Sequence, residues 1–290
     1  MLMAKVMIEA AINGMNLRDQ NRNIAYSNEE VIADAVATTR AGASMIHFHA
    51  KQPDGGWNDE VDDLAAIMRG IRAEGVSPIL WPTFSGGADV PQRFRHYTAL
   101  SADPATKPDV GACDMGSVNL AWWDEANKRY IRTHLYQNLI DTTREVIEHH
   151  TSLGLTRPTL QIFEPGHLRT ALKFLEMGVL GEPLLVKFYL GGPEQPFGLP
   201  PTPASLEAYA DMLKGVCACW FASCFGGDII PLLPYAIAMG GHCRIGLEDH
   251  DYKHEGQPTN VELVKRCVAI IEAMGHEVAT PEDARALLEI

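Results

Sequence analysis

The sequence has no long hydrophobic run and fewer basic than acidic residues. Its 290 residues include 24 Lys and Arg against 37 Asp and Glu, a formal net charge of −13. This deficit argues against a nucleic-acid surface, which needs a basic patch. No apolar stretch approaches the length of a membrane span, and Lys5 and Glu9 interrupt the region that a signal peptide keeps apolar. We expect a cytoplasmic protein that binds neither nucleic acid nor membranes.

Several sequence motifs of well-known enzyme classes are also missing. There is no P-loop, no GxGxxG after a strand, no serine nucleophile elbow and no HExxH. The six cysteines form no CxxC pair. We interpret them as reduced core residues rather than as a disulfide framework or a thiolate metal site.

The chain instead shows a regular alternation of strand-like and helix-like segments. Ser27 to Glu30 resembles a capping box, and further helices are predicted at 59–74, 134–150, 204–213, 229–239, 259–274 and 281–289. Strands are predicted at 5–12, 45–51, 76–83, 110–115, 159–163, 184–190, 216–223 and 242–250. Eight strands alternating with helices predict an α/β fold, a single-domain (β/α)8 TIM barrel over residues 1–290 with an extra C-terminal helix.

Two histidines lie in the second predicted strand, which runs into a Pro-Asp-Gly-Gly turn. His47 and His49 are two residues apart, so their side chains point to the same face. The alternative is a pair of buried histidines bonded to the backbone. At the carboxyl end of a barrel strand, where active sites lie, we favour a metal ion bound by both imidazoles.

The eighth predicted strand carries Arg244-Ile245-Gly246-Leu247-Glu248-Asp249. Alternation puts Arg244 and Glu248 on one face, and this strand lies one strand away from the first, as the histidine strand does. Two histidines and Glu248 would form a three-ligand Zn2+ site with a position left for substrate. Arg244 needs a buried partner, for which Asp249 is the natural candidate. The alternative is an exposed acidic loop with a structural Arg–Glu pair.

Polar residues also follow other predicted strands. Thr83-Phe84-Ser85-Gly86-Gly87 is rich in hydroxyl and backbone N–H groups, which could bind a carboxylate or phosphate. An ordinary turn is the alternative. The predicted substrate-binding residues are Thr83, Ser85, Gly86, Gly87, Asn16, Asn119 and Glu164.

Taken together, these motifs resemble the β-keto acid cleavage enzyme family, whose founding activity is 3-keto-5-aminohexanoate cleavage. The similarity covers Ala10 to Gly14, the histidine strand, Ser85 to Gly87 and Arg244 to Asp249, and it extends to Ala279–Arg285. The resemblance implies a zinc-dependent barrel that condenses a β-keto acid with acetyl-CoA and releases acetoacetate and a new acyl-CoA. Acetyl-CoA is then a co-substrate.

Roles carry over to the matching positions. The resemblance makes His47, His49 and Glu248 the metal ligands and Arg244 and Asp249 the catalytic pair. It places Ser85 in the loop that binds the carboxylate end of the substrate. It also implies a homo-oligomer, dimer or tetramer, for which the segment around Trp122 and Trp123 is a candidate interface.

One departure bears on the substrate. The founding enzyme recognises the amino group of its substrate with an acidic residue after the first strand. The matching stretch of this chain, Gly14-Met15-Asn16-Leu17, contains no carboxylate. We therefore expect a β-keto acid without a cationic amino group. Two other hypotheses are a metal-dependent hydrolase of the amidohydrolase type, which also uses an HxH strand, and a non-catalytic acid-binding protein.

Overall fold

A computed structural model describes residues 4–85, 87 and 89–290. Gly86, one of the predicted substrate-binding residues, lies outside the described residues.

The strands in chain order are β1 Lys5–Val6, β2 Ile8–Ala11, β3 Met45–Phe48, β4 Ala50–Lys51, β5 Trp57–Asn58, β6 Ile79–Pro82, β7 Ala112–Asp114, β8 Val118–Asp124, β9 Arg129–Tyr136, β10 Thr159–Ile162, β11 Leu184–Gly191, β12 Ala218–Phe225, β13 His242–Ile245 and β14 Glu277–Val278. The helices are α1 Asn28–Arg40, α2 Val61–Ala73, α3 Val90–Arg93, α4 Arg95–Ser101, α5 Ile140–Ser152, α6 Pro165–Glu176, α7 Pro203–Met212, α8 Leu233–Ala238, α9 Asn260–Ala273 and α10 Pro281–Leu288, with a 3-10 turn at Ile230–Leu232.

Eight of these strands form one parallel sheet in the order β6-β3-β2-β13-β12-β11-β10-β7. Eight parallel strands alternating with helices confirm the predicted α/β fold class, a (β/α)8 TIM barrel. Within the described residues the chain divides into two compact units. The first comprises the chain up to Gly111 with Arg244–Leu288 and Ile290, and the second comprises Ala112–Cys243 with Glu289. That residues 1–290 form a single domain stays a prediction.

In the first unit, the strands β2, β3 and β6 lie side by side with buried side chains on both faces. The register pairs Ala10 with Ile46, and Ile46 with Leu80. Buried apolar runs of this kind are typical of parallel strands covered by helices. The Ser27 hydroxyl accepts the Glu30 N–H while the Glu30 carboxylate accepts the Ser27 N–H, so the predicted capping box at the start of α1 is confirmed.

In the second unit, β7, β10, β11 and β12 pair in parallel, and β11 and β12 stay in register from Leu184 opposite Ala218 to Gly191 opposite Phe225. A cluster of aromatic side chains packs around Phe163, which stacks on Tyr189 at a centroid distance of 5.0 Å. The core of this unit is therefore largely aliphatic and aromatic.

One predicted helix was partly wrong. Residues 134–136 belong to β9, which pairs with β8 in an antiparallel hairpin, and the helix begins only at Ile140. The helical spacing of residues from Leu139 to Ile147 concealed the hairpin, because β9 is exposed along almost its whole length and has no buried face to mark it. Strand eight was also predicted too long, since β13 ends at Ile245. Among the described residues, no helix combines the length and apolarity needed to cross a bilayer.

Candidate metal centre and active site

His47 is held in a single tautomer by the neighbouring strand. Its side chain is buried, and its Nδ1 lies 3.1 Å from the Trp81 carbonyl oxygen. A carbonyl only accepts, so Nδ1 carries the hydrogen and Nε2 is left with its lone pair. The imidazole also stacks on the Trp81 ring at a centroid distance of 3.8 Å. His47 is thus oriented as a metal ligand would be.

His49 is positioned through its backbone. The Asn13 side chain accepts the His49 N–H at 3.0 Å and donates to the His49 carbonyl at 3.0 Å, and its amide also bonds Ala25. The Trp57 ring stands edge-on to the imidazole, with centroids 5.4 Å apart. Burial lowers the pKa of His49 against the opposing charge of Glu248, which favours the neutral form that binds metals.

Glu248 reaches both histidines. Its Oε1 lies 3.1 Å from His47 Nε2, and its Oε2 lies 3.6 Å from His49 Nε2. Two glycines make room for this segment: a β-carbon on Gly14 would come within 2.3 Å of Glu248 Cγ, and one on Gly246 within 2.0 Å of the Ala11 carbonyl oxygen. Within the described part of the chain, the buried Oε2 has no hydrogen-bond partner.

These three side chains fit a divalent cation. Their ligand atoms lie within 4.8 Å of one another. Two ligands at about 2.1 Å from one ion in tetrahedral geometry are about 3.4 Å apart, close to the two separations from Glu248. The His47 Nε2 lone pair faces a carboxylate oxygen, which is unfavourable unless a proton or a metal ion lies between them. A proton or metal ion between these groups would also give Glu248 Oε2 a partner.

Arg244 is fully buried among three carboxylates. Its Nε and Nη2 donate to the two Asp249 oxygens at 2.9 and 2.8 Å, Nη2 also donates to Glu248 Oε1 at 3.0 Å, and Nη1 donates to Glu9. The predicted Arg244–Asp249 pair is thus formed. Glu9 was missed, although a lone acid inside the apolar strand β2 is a signal, since such a charge must be paired.

The charge balance of this cluster is negative. One arginine faces three carboxylates, so two negative charges remain when all three are ionised. Burial raises the pKa of Glu248, but its interactions with His47, His49 and Arg244 outweigh burial and hold that pKa well below its usual range. An ionised buried cluster of this charge is neutralised by one divalent cation.

The loop after β6 is anchored by helix α4. The Ser85 hydroxyl lies 3.1 Å from His96 Nδ1, and His96 Nε2 lies 2.7 Å from the Thr83 carbonyl oxygen. The Thr83 N–H donates to the Phe48 carbonyl, so this loop begins beside His49. Gly87 is exposed. His96 was not predicted, and nothing local in its sequence marks it.

Asn16 lies beside the metal-ligand segment. Its amide donates to the carbonyls of Leu247 at 2.7 Å and Glu248 at 3.1 Å, while its own carbonyl accepts the Lys51 ammonium at 2.8 Å. Lys51 is buried, and burial lowers its pKa to about 8 against the opposing effect of Glu248. These bonds hold Asn16 beside Glu248, and its role in substrate binding stays a prediction.

The other two predicted substrate-binding residues belong to the second unit. Asn119 is exposed on β8, opposite Leu135. Glu164 precedes α6, and its Oε1 accepts the Gly198 N–H at 3.1 Å. Their roles stay predictions.

Comparison with protein families identifies the chain. The model of the beta-keto acid cleavage enzyme family matches residues 5–290. The chain belongs to this family. It is therefore an enzyme of the β-keto acid cleavage type, as its motifs indicated.

Two characterised relatives cover almost the same length. The 3-keto-5-aminohexanoate cleavage enzyme of Fusobacterium nucleatum is 28% identical over 295 residues, covering 100% of this chain and 99% of that protein. The 3-dehydrocarnitine:acetyl-CoA trimethylamine transferase of Rhizobium meliloti is 26% identical, covering 99% of this chain and 97% of that protein. The first name describes cleavage of a 3-keto acid, and the second includes acetyl-CoA.

Solved structures show the same fold at low sequence identity. The apo structure of ObcA superposes with a TM-score of 0.70 at 17% identity, covering 92% of this chain. This chain spans only 65% of the ObcA chain. The homocysteine methyltransferase MmuM of Escherichia coli superposes with a TM-score of 0.57 at 12% identity, covering 92% of this chain and 96% of that chain.

Proposed function

We propose that this enzyme is zinc-dependent and condenses a β-keto acid with acetyl-CoA, then releases acetoacetate and a new acyl-CoA by retro-Claisen cleavage. The observation that carries the proposal is the contact of Glu248 with both His47 and His49 on one side and with Arg244 on the other. Metal ligands and an Arg–carboxylate pair are thereby joined within one buried cluster.

His47, His49 and Glu248 would hold the ion through two imidazole nitrogens and a carboxylate. When bound, Zn2+ supplies a Lewis acid that polarises a ketone and stabilises the negative charge of an enolate. The Trp81 carbonyl keeps the His47 lone pair directed at the ion, and Asn13 holds the His49 backbone. Two of the ligands therefore keep their orientation without the metal.

Asp249 is the proposed general base. Both of its oxygens accept hydrogen bonds from Arg244, so the carboxylate is fixed in direction. It would take the proton from the carbon between the two carbonyl groups of the keto acid. Arg244 would then stabilise the negative charge that loss of this proton leaves on the keto acid.

The charge of the site supports an anionic substrate. A divalent cation neutralises the two excess negative charges around Arg244, and the nearby Lys51 ammonium then gives the site a net positive charge. We propose that Thr83, Ser85, Gly86 and Gly87 bind the carboxylate of the acid and that Asn16, Asn119 and Glu164 complete the substrate site. No carboxylate lies between Gly14 and Leu17, which favours a keto acid without an amino group.

We also propose that the chain forms one domain, acts in the cytoplasm and assembles as a homo-oligomer. Five of the six cysteines are buried, which fits a reducing compartment. The β8–β9 hairpin exposes Tyr130, Ile131 and Leu135. Isolated two-stranded ribbons are marginally stable, so a second copy packed on this hairpin, near Trp122 and Trp123, would stabilise it.

The test is a panel of β-keto acids mixed with acetyl-CoA, with acetoacetate as the measured product. We expect acetoacetate from at least one non-amino β-keto acid, with formation of the matching acyl-CoA. Replacing His47 with Ala should lower both bound zinc and turnover by more than about 100-fold, since even the groups that orient metal ligands contribute 10- to 100-fold. Full turnover by a zinc-free His47→Ala variant would overturn the proposal.

A further inference from the structure

The Ser85 side chain is hydrogen-bonded to a buried histidine that belongs to neither the metal centre nor the Arg244 cluster. Ser85 is 1% exposed and His96 is fully buried. The Ser85 Oγ lies 3.1 Å from His96 Nδ1, and the opposite ring nitrogen, Nε2, lies 2.7 Å from the Thr83 carbonyl oxygen. The imidazole therefore joins both ends of the short segment from Thr83 to Ser85.

This arrangement fixes the direction of the Ser85 hydroxyl. The Thr83 carbonyl can only accept, so His96 Nε2 carries the ring hydrogen. Burial is the main cause that lowers the pKa of His96, to about 4, so the ring is neutral at physiological pH and Nδ1 keeps a lone pair. Nδ1 can then only accept, and the Ser85 hydroxyl donates to it.

A second acceptor competes for the same hydrogen. The Asp59 carboxylate lies within hydrogen-bonding reach of the Ser85 hydroxyl and the Trp57 side chain. Asp59 also pairs with Arg95 at 2.8 Å. Burial raises the pKa of Asp59, but these bonds outweigh it and lower the pKa below its usual value. Asp59 thus remains a charged acceptor toward which the hydroxyl can turn.

We infer that His96 is a positioning residue for Ser85: in the free enzyme its Nδ1 accepts the hydroxyl hydrogen and keeps it from Asp59, so that the hydroxyl can turn to the carboxylate of the keto acid when the acid binds. The inference rests on the proposed function in that it assigns Ser85 to the substrate site. Without the acceptor on His96, the hydroxyl donates to the charged Asp59, which is a stronger acceptor, and is no longer available to the keto acid. Binding of the keto acid is then weakened, while the Asp249 chemistry is unchanged.

Two conservative substitutions separate this role from simple anchoring of the loop. The His96→Asn side chain puts an oxygen near the position of Nδ1, which keeps the acceptor for Ser85 and loses the donor to Thr83. The His96→Gln side chain puts an NH2 group near the position of Nε2, which keeps the donor and loses the acceptor. We expect His96→Gln to raise KM for the keto acid about 3- to 10-fold, as one lost hydrogen bond does, with kcat within twofold.

Under the same inference, His96→Asn should keep KM within twofold of the wild type. In a Ser85→Ala background, His96→Gln should have no further effect, because its partner is gone. His150→Gln is the matched control, since His150 is a fully buried histidine whose Nε2 bonds the Ala112 carbonyl at 2.9 Å in the other unit. A larger KM increase for Asn than for Gln, or additive effects with Ser85→Ala, would overturn the inference.

A second readout does not require turnover. In protein with 15N-labelled imidazoles, the His96 resonances, assigned by their loss in His96→Gln, should show a protonated Nε2 and a hydrogen-bonded, unprotonated Nδ1. Ser85→Ala should shift the Nδ1 resonance toward that of a free lone pair. A protonated Nδ1, or no shift in Ser85→Ala, would overturn the inference. A wild type inactive on every acid would count against the proposed function alone.

Discussion

The two units differ in the groups that we find beside a fully buried basic side chain. In the first, Arg244 is surrounded by Glu9, Glu248 and Asp249, with two imidazoles beside them. In the second, the fully buried Lys187 lies over the Phe221 ring at 3.7 Å, and its charge adds to burial in lowering the pKa of His242 to about 3. The first unit thus brings together two imidazoles and several carboxylates, the donors that a divalent cation needs, and among the described residues His47, His49 and Glu248 are a group that could hold one. We therefore assign the metal centre to the first unit.

The largest expected effect comes from removing the central cation of the first cluster. Arg244→Met leaves three buried carboxylates without their common partner, which should lower the free energy of unfolding by about 3–5 kcal/mol in metal-free protein. Lys173→Met, at the exposed ion pair with Glu176 in the second unit, should cost less than about 1 kcal/mol. Urea unfolding measures both. Equal losses for the two variants would show that the Arg244 cluster contributes no more than an exposed ion pair.

Removal of the metal should have the next largest effect on the stability of the folded state. Zinc at 100 times its dissociation constant stabilises the folded state by about 2.7 kcal/mol, since it binds the assembled ligands and neutralises the excess charge. For a chain of 290 residues we expect a chelator to lower the melting temperature by roughly 4–5 °C. Thermal denaturation with zinc and with chelator measures the shift. Glu248→Gln should show little of it, and a wild type indifferent to chelator would speak against the metal centre.

A substitution of Asp34 tests whether buried acids in the first unit lower the stability of the folded state unless they are paired. Burial raises the pKa of Asp34 to about 6, and the hydrogen bond from Asn260 only partly opposes this. The folded state then holds the proton more tightly than the unfolded state. Its contribution to stability is fully present below about pH 4 and is lost as the pH rises through about 6.

Asp34→Asn removes this dependence and keeps an acceptor for Asn260. In metal-free protein, the variant should gain about 2–3 kcal/mol of stability relative to the wild type between pH 4 and pH 7, following about 1.36 kcal/mol for each pKa unit. Urea midpoints at several pH values measure the difference. A constant difference between the two proteins across this range would show that Asp34 has an ordinary pKa.

The smallest effect concerns how the first unit holds its ligands. Asn13→Ala removes the two hydrogen bonds to the His49 backbone, so zinc affinity should fall about tenfold. Competition with a chromophoric chelator measures the affinity. Asn23→Ala is the control, because its amide bonds the Gln257 carbonyl and contacts no ligand. Equal losses in both variants would mean that Asn13 acts on general stability and not on His49.

Local pattern predicted much of the centre and of the fold. The two-residue alternation of strands places His47 with His49, and the contacts of Arg244 with Glu248 and Asp249 join residues only four and five positions apart in the sequence. The alternation of strands and helices gave the fold class. Family resemblance supplied the roles, which spacing alone left open.

The remaining groups come from distant parts of the chain. Glu9 joins Arg244 across 235 positions, and His96 reaches Ser85 from a separate helix, so neither contact has a local signature. The β8–β9 hairpin was missed because it is an addition between a strand and a helix that the alternating pattern does not require. These features can be seen only in the folded structure. Glu9 is a partial exception, because a lone acid within the apolar strand β2 indicates that a buried partner is needed.

The most direct test of the account is titration of metal-free enzyme with zinc while acetoacetate formation from a β-keto acid and acetyl-CoA is followed. We predict that activity is absent without metal and rises linearly to a plateau at one zinc ion per chain, with no rise for His49→Ala. Full activity of the wild type before any zinc is added, at a metal content far below one ion per chain, would contradict it.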